Sequence, residues 1–162
     1  MAVIKLVIDD LDEADFDLIA LHSTFDNYRI AFAINTLFPV YLVRQPEPKT
    51  LYLKNEKAQF DFYQFKDEAD DHGHYWELLN NKGQFVDKPT DLAAPSGLFD
   101  ELEADHSTYI LPEIKQADFI LKLNHALDDP DTIASVLNAS PLIQKAYVID
   151  FDKVKSYQNL IE

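Results

Sequence analysis

ADFDLIALHSTFDNYRIAFAIN, residues 14–35, and ADFILKLNHALDDPDTIASVLN, residues 117–138, decide how the chain is read. They align without a gap at an offset of 103 residues. Nine of the 22 positions are identical: Ala14/Ala117, Asp15/Asp118, Phe16/Phe119, Leu18/Leu121, His22/His125, Asp26/Asp129, Ile30/Ile133, Ala31/Ala134 and Asn35/Asn138. Each copy opens on an apolar run suited to a buried strand, residues 16–22 and 117–123. In the first copy Ser23 offers an N-cap, with Asp26 near the helix start. Apolar positions at Phe25, Tyr28, Phe32 and at Ile30, Ile34, Leu37 then fit a helix of about 14 residues buried along a broad face, stopped by Pro39. In the second copy Asp129-Pro130 is a helix start, and the helix runs through Thr132–Asn138 toward Pro141. A strand follows each helix, at 40–44 and 145–150. Two such β-α-β units, about 14–43 and 117–150, sharing one sheet give an α+β sandwich, ferredoxin-like or related.

Outward from the repeats, residues 44–116 read as an inserted antiparallel β region within a single domain spanning 1–162. Strands are expected at 49–53, at 59–65, where alternation puts Phe60 and Phe62 on one face, and at 74–79. Asn80-Asn81-Lys82-Gly83 has the composition of a hairpin turn leading to a returning strand at 84–86. Residues 87–106 read as loop with one helical turn at 98–103, residues 4–8 as a further short strand, and the tail as a short helix or an edge.

Composition narrows the function. A chain of 162 residues buries roughly 70% of its unfolded surface, enough for its own core. No cysteine is present, which excludes a disulfide framework, thiolate chemistry and cysteine-based zinc sites. Fourteen Lys and Arg against 29 Asp and Glu give a net charge of −15. The acids cluster at Asp9–Asp17, at Asp67–Asp71 and at Asp100–Asp105, and the basic residues form no run. That distribution lacks the phosphate-binding footprint of nucleic-acid proteins and disfavours anionic membrane surfaces. The N-terminus does not resemble a signal peptide. The longest uncharged run, residues 30–43, is shorter than the ~20 residues of a membrane span. A cytoplasmic protein is expected. The three glycines, Gly73, Gly83 and Gly97, make no phosphate loop, and no G-x-S-x-G elbow exists, so no cofactor is expected.

Three groups of polar residues are candidates. Asp70, His72 and His74 form the most metal-like cluster, because an H-x-H pair on a strand points both imidazoles to one face; a solvated turn is the plainer reading. His22 and His125, at corresponding places before the two helices, would flank a cleft if the strands were parallel, or simply satisfy local backbone groups. Asp128-Asp129-Pro130-Asp131 looks calcium-like but lacks the glycine and the closing glutamate of an EF-hand loop, and helix capping accounts for it better.

Leu111-Pro112-Glu113-Ile114-Lys115-Gln116-Ala117-Asp118-Phe119 resembles the motif that names the IPExxxVDY family, small bacterial proteins without an assigned activity. Leu18–Ser23, Asn27–Ile30, Leu42–Arg44, Lys155-Ser156 and Asn159–Ile161 add to the resemblance. This chain has Leu at 111, Ala at 117 and Phe at 119, so a catalytic tyrosine cannot act from position 119. The residues themselves suggest that Pro112 fixes the start of a strand and that Phe119 and Leu121 enter the core. Asp118 either satisfies backbone donors or pairs with a cation, Arg29 being one candidate. Arg29, Glu113, Asp118, His22 and His125 are thus the candidate ligand or partner residues. The expected function is a non-enzymatic acidic adaptor working through protein–protein contacts, its partner carrying a basic surface, with a homodimer through an edge strand possible. The alternatives are a small-molecule-binding regulatory domain with a cleft between the repeats, and a metal-dependent enzyme at Asp70, His72 and His74.

Overall fold

The computed structural model describes residues 16–53, 56–69, 73–86, 107–124 and 128–160. The strand expected at 4–8 and the loop at 87–106 lie outside them, as do Asp70, His72 and His125. The described residues form a mixed α+β fold. Its strands are β1 (Asp17–His22), β2 (Val43–Arg44), β3 (Lys49–Leu53), β4 (Glu56–Phe60), β5 (Phe62–Lys66), β6 (Tyr75–Asn80), β7 (Lys82–Phe85), β8 (Ser107–Tyr109), β9 (Phe119–Asn124) and β10 (Lys145–Val148). The helices are α1 (Asn27–Leu37) and α2 (Pro130–Asn138), with 3-10 turns at Pro112–Ile114 and Lys155–Leu160. Six strands form one antiparallel sheet in the order β10-β1-β9-β6-β5-β2, and four form a second in the order β3-β4-β7-β8.

The layering follows from side-chain alternation. Ile19 and Leu21 of β1, Phe119, Leu121 and Leu123 of β9, and Trp76 and Leu78 of β6 pack with Ile30 and Ile34 of α1 and Ile133 and Leu137 of α2. The intervening residues Leu18, Ala20, Leu79 and Ile120 pack the other way, against Ala58 and Phe60 of the second sheet and Val154 and Leu160 of the C-terminal turn. The six-stranded sheet is therefore covered on both faces, which is why β1 reads Leu-Ile-Ala-Leu without polar alternation, all four being fully buried. Each buried Leu or Ile side chain contributes about 1.5–3 kcal/mol by leaving water.

The offset of 103 holds for the helices and fails for the strands. Ile30/Ile133, Ala31/Ala134 and Ile34/Leu137 are buried in register. Asn35 bonds the backbone N–H and C=O of Leu42, at 2.7 and 3.2 Å, and Asn138 does the same to Ala146, both at 2.8 Å. In the strands, however, Ile19 lies opposite Leu121 and shares its face, whereas a gapless alignment matches Leu18 to Leu121. Because the pleat has a period of two, that match would put equivalent residues on opposite faces. The strand offset is 102, one extra residue separates strand from helix in the second copy, and His22 corresponds to Asn124 rather than His125.

Other expectations are corrected in detail. The helix N-cap is Asp26 rather than Ser23, and α1 has 11 residues. The stretch 59–65 is not one strand: it breaks at Asp61, sending β4 to one sheet and β5 to the other. Asn80–Gly83 is not a hairpin turn, since β6 and β7 also belong to different sheets and the chain changes layer at Asn81. Gly83 serves close approach rather than a turn, because a Cβ there would sit 2.5 Å from the Phe60 ring and 2.6 Å from the Gln59 carbonyl oxygen. Pro112 begins a 3-10 turn instead of a strand. The largest departure is on α1: Tyr28 and Phe32, expected on the buried face, are 56% and 69% exposed.

Candidate functional site

The candidate ligand residues of the motif are engaged in holding backbone. Asp118 Oδ2 accepts from the Ser23 N–H at 2.9 Å, just after β1. Ser23 Oγ donates to the Leu142 carbonyl at 2.7 Å and accepts from the Phe25 N–H at 3.1 Å, which is why it does not cap α1. Of the two roles open to Asp118, the structure displays the backbone one. The Arg29 guanidinium lies over the Phe25 ring at 5.4 Å. His22 Nε2 is 3.3 Å from the Tyr147 hydroxyl, whose acidity burial has weakened. The strand ends at this corner belong to antiparallel pairs, so the cleft rule for parallel sheets does not apply to His22.

Glu113 reaches the C-terminal 3-10 turn, its Oε2 accepting from the Ser156 N–H at 3.0 Å. Burial pushes its carboxyl up, but hydrogen bonds from the Ser156 side chain and from the backbone of Glu113, Ser156 and Lys155 outweigh it and hold the group below the usual 4.5. A carboxylate whose folded pKa is depressed stabilises the fold above its unfolded pKa and loses that contribution as pH falls through the folded value. Glu113→Gln is therefore expected to lower the thermal midpoint at neutral pH. The gap to the parent protein should close as pH drops below 4.5. A gap that is constant across this range would mean the charge is irrelevant.

Of the proposed metal ligands, His74 is buried, and its Nε2 accepts from Trp76 Nε1 at 2.8 Å while its ring meets the edge of Phe65. Among the described residues no group of three or more His, Asp or Glu side chains is arranged to hold a metal. A cavity of about 370 Å³ opens elsewhere, between residues 45–50 and Phe62. Among the described residues no helix is long and apolar enough to cross a membrane.

Two constellations escaped the sequence reading. Glu77, fully buried between the sheets, meets Lys49 Nζ at 3.0 Å and Lys122 Nζ at 3.9 Å, and neither approach has hydrogen-bond geometry, so the contacts are Coulombic. Lys122 Nζ also donates to the Leu160 carbonyl at 2.7 Å and sits 4.7 Å over Phe16. The signal was one charged residue inside each of two apolar strands, YWELLN and FILKLN. Asn81, the second, is fully buried and binds four backbone positions in residues 110–117 with both its side chain and its carbonyl.

The surface divides by chemistry. Asp17, Asp128, Asp129 and Asp131 are exposed around the start of α2. Burial, and then the Asp129 charge, push the Asp17 carboxyl above its ordinary value. Conversely, no acid occurs from Asn27 to Pro46, and five of the six large hydrophobic side chains most exposed in the described structure, Tyr28, Phe32, Leu37, Tyr41 and Val43, belong to this stretch. Comparisons with protein-family models, with curated proteins and with solved structures find no match to the chain.

Proposed function

We propose that the chain is a non-enzymatic, cytoplasmic binding protein that works through protein–protein contacts with a partner of basic surface. The observation that carries this reading is the set of exposed acids Asp128, Asp129 and Asp131 at the start of α2, the Asp129 charge also pushing up the Asp17 carboxyl, on a chain of net charge −15. A field of that sign concentrates and orients a basic protein before contact. Two further proposals accompany it. The order β10-β1-β9-β6, with α2 linking β9 to β10 across β1, is read as a ferredoxin-like core that β5 and β2 extend. Kinship with the IPExxxVDY proteins is proposed on the string 111–119.

The test is recovery of the tagged chain at native abundance from its own cytoplasm, at low and moderate salt, beside the variant Asp128→Asn/Asp129→Asn/Asp131→Asn. The substitutions remove helix-dipole partners worth about 0.3–1 kcal/mol each, so circular dichroism must first show the variant folded. A stoichiometric basic companion that weakens with salt and with neutralisation supports the reading. Equal binding after neutralisation removes the electrostatic half, and no companion at either salt overturns the whole.

A second reading, a small-molecule-binding regulatory domain, is favoured by the meeting of His22, Ser23 and Asp118 at one corner. A ligand there at 100 times its Kd would stabilise the fold by about 2.7 kcal/mol in a thermal screen. No shift across a broad metabolite panel removes it.

A further inference from the structure

Beyond the acidic surface, we propose that the face built by α1 and β2 binds a second copy of this chain. Helical periodicity alone would bury Tyr28 and Phe32, one turn apart on α1, yet they are 56% and 69% exposed, and Tyr41 is 72% exposed at the approach to β2. These residues are brought together, because Asn35 on α1 clamps the N–H and C=O of Leu42, between Tyr41 and Val43. Rings of about 200 Å² each, exposed to this extent, offer on the order of 400 Å², about half of one side of a standard interface. Leu37 and the two residues of β2, Val43 and Arg44, add exposed surface to it. Among the described residues β2 is the terminal strand of the six-stranded sheet and pairs only with β5. A two-fold axis beside it would let two β2 strands extend one sheet across both copies.

Charge selects the occupant. Two molecules at −15 repel wherever acid meets acid, and Asn27–Pro46 is acid-free. The chain has only two arginines, Arg29 and Arg44, and both lie in that stretch and are exposed. Asp26 and Asp61 stand at its margins, Asp61 3.7 Å from Arg44 in an exposed ion pair that a partner can replace at little cost. Guanidinium groups within and carboxylates at the rim make the face self-complementary under a two-fold, each copy's arginines meeting the other's acids. The acidic corner at α2 is left for other partners.

The test is sedimentation of the full chain over a wide concentration range at low and high salt, with Phe32→Glu, Tyr41→Glu and the control Tyr52→Glu, whose ring is 69% exposed on β3 of the other sheet. The parent protein should pass from monomer to dimer with concentration. Added salt should strengthen the dimer, because it screens repulsion between two chains of −15, the opposite of its effect on a complex with a basic partner. Phe32→Glu and Tyr41→Glu should each weaken self-association about tenfold or more while Tyr52→Glu leaves it unchanged. Unaltered Trp76 fluorescence will show that the variants are folded. A single 18.6 kDa species under all conditions overturns the proposal, as does a dimer indifferent to Phe32 and Tyr41 or one broken at Tyr52.

Discussion

Glu77→Leu is expected to destabilise the protein by about 3–5 kcal/mol, measured by urea unfolding followed through Trp76, the single tryptophan. Glu77 lies directly across from Lys122 in the β6–β9 ladder, on the face between the two sheets, and Lys49 approaches it from β3 of the second sheet. Bringing a carboxylate and two ammonium groups into this layer costs several kcal/mol of hydration for each ion. Their attraction offsets that cost only while both signs are present. Removing the carboxylate leaves the hydration loss of both lysines in place and deletes the charge they share. The penalty is therefore the attraction lost with Glu77, less the carboxylate's own hydration cost, because the hydration cost of the two lysines is the same in both proteins and is no longer offset by an opposite charge. A discriminating comparison follows: Glu77→Leu/Lys49→Met/Lys122→Met should recover most of the loss, because an apolar layer of similar volume does not carry the ionic hydration cost. The recovery should be incomplete, since Lys122 also serves the Leu160 carbonyl. A loss below about 1 kcal/mol for Glu77→Leu would show that the carboxylate is effectively hydrated and that the layer is not dry.

How much of this was legible in the sequence depends on the length scale of the forces. Local signals were readable. Asp129-Pro130 marks the start of α2, though the Asp129 side chain makes no capping bond, the apolar runs of β1 and β9 are buried strands, and Phe119 and Leu121 enter the core. What local pattern could not supply was layer assignment. Asp61 and Asn81 each look like part of a local element, a continuing strand and a turn, yet each is where the chain passes between sheets; the Asn80 N–H bonds the Asp61 carbonyl at 3.0 Å, tying the two crossings together. Pairing β4 with β7 and β6 with β9 is a choice among non-local partners that no window of ten residues contains. Periodicity failed in an informative place. It assigned Tyr28 and Phe32 to the core because a helix pattern records which residues are apolar, not how much covering surface the rest of the fold provides. Of the site residues, Asp118 and Glu113 were found through the motif. Their role, holding backbone from distant segments, became visible only once β1 and the C-terminal turn stood beside them.

Asn81→Ala should cost about 3 kcal/mol or more, and its effect should spread to the motif it anchors. Asn81 Nδ2 donates to the carbonyls of Ile114 and Ala117 at 3.0 and 2.9 Å, and its Oδ1 accepts from the Leu111 N–H at 2.9 Å. Its own backbone accepts from Ile110 and donates to Asp118. Truncation takes the side-chain partner from the buried Ala117 carbonyl and Leu111 N–H, each costing about 1–3 kcal/mol, while the part-buried Ile114 carbonyl keeps the Ala117 N–H at 3.0 Å. The released segment also carries Glu113 and Asp118, so the capping of Lys155–Leu160 and the Ser23 contact should loosen together. Hydrogen exchange would show this as faster exchange at Ser23, Leu111 and Ser156, with the β6–β9 ladder still protected. Asn81→Asp separates donor loss from cavity formation. The side chain keeps its shape and its acceptor, but an ionised carboxylate faces two carbonyl oxygens. That variant should be at its weakest at neutral pH and recover toward the parent protein as acid protonates the group and restores one donor. Equal stability of Asn81→Asp and the parent protein at neutral pH would show that the Ile114 and Ala117 carbonyls do not depend on this residue, and the coupling between the sheet crossing and the motif would have to be sought in packing alone.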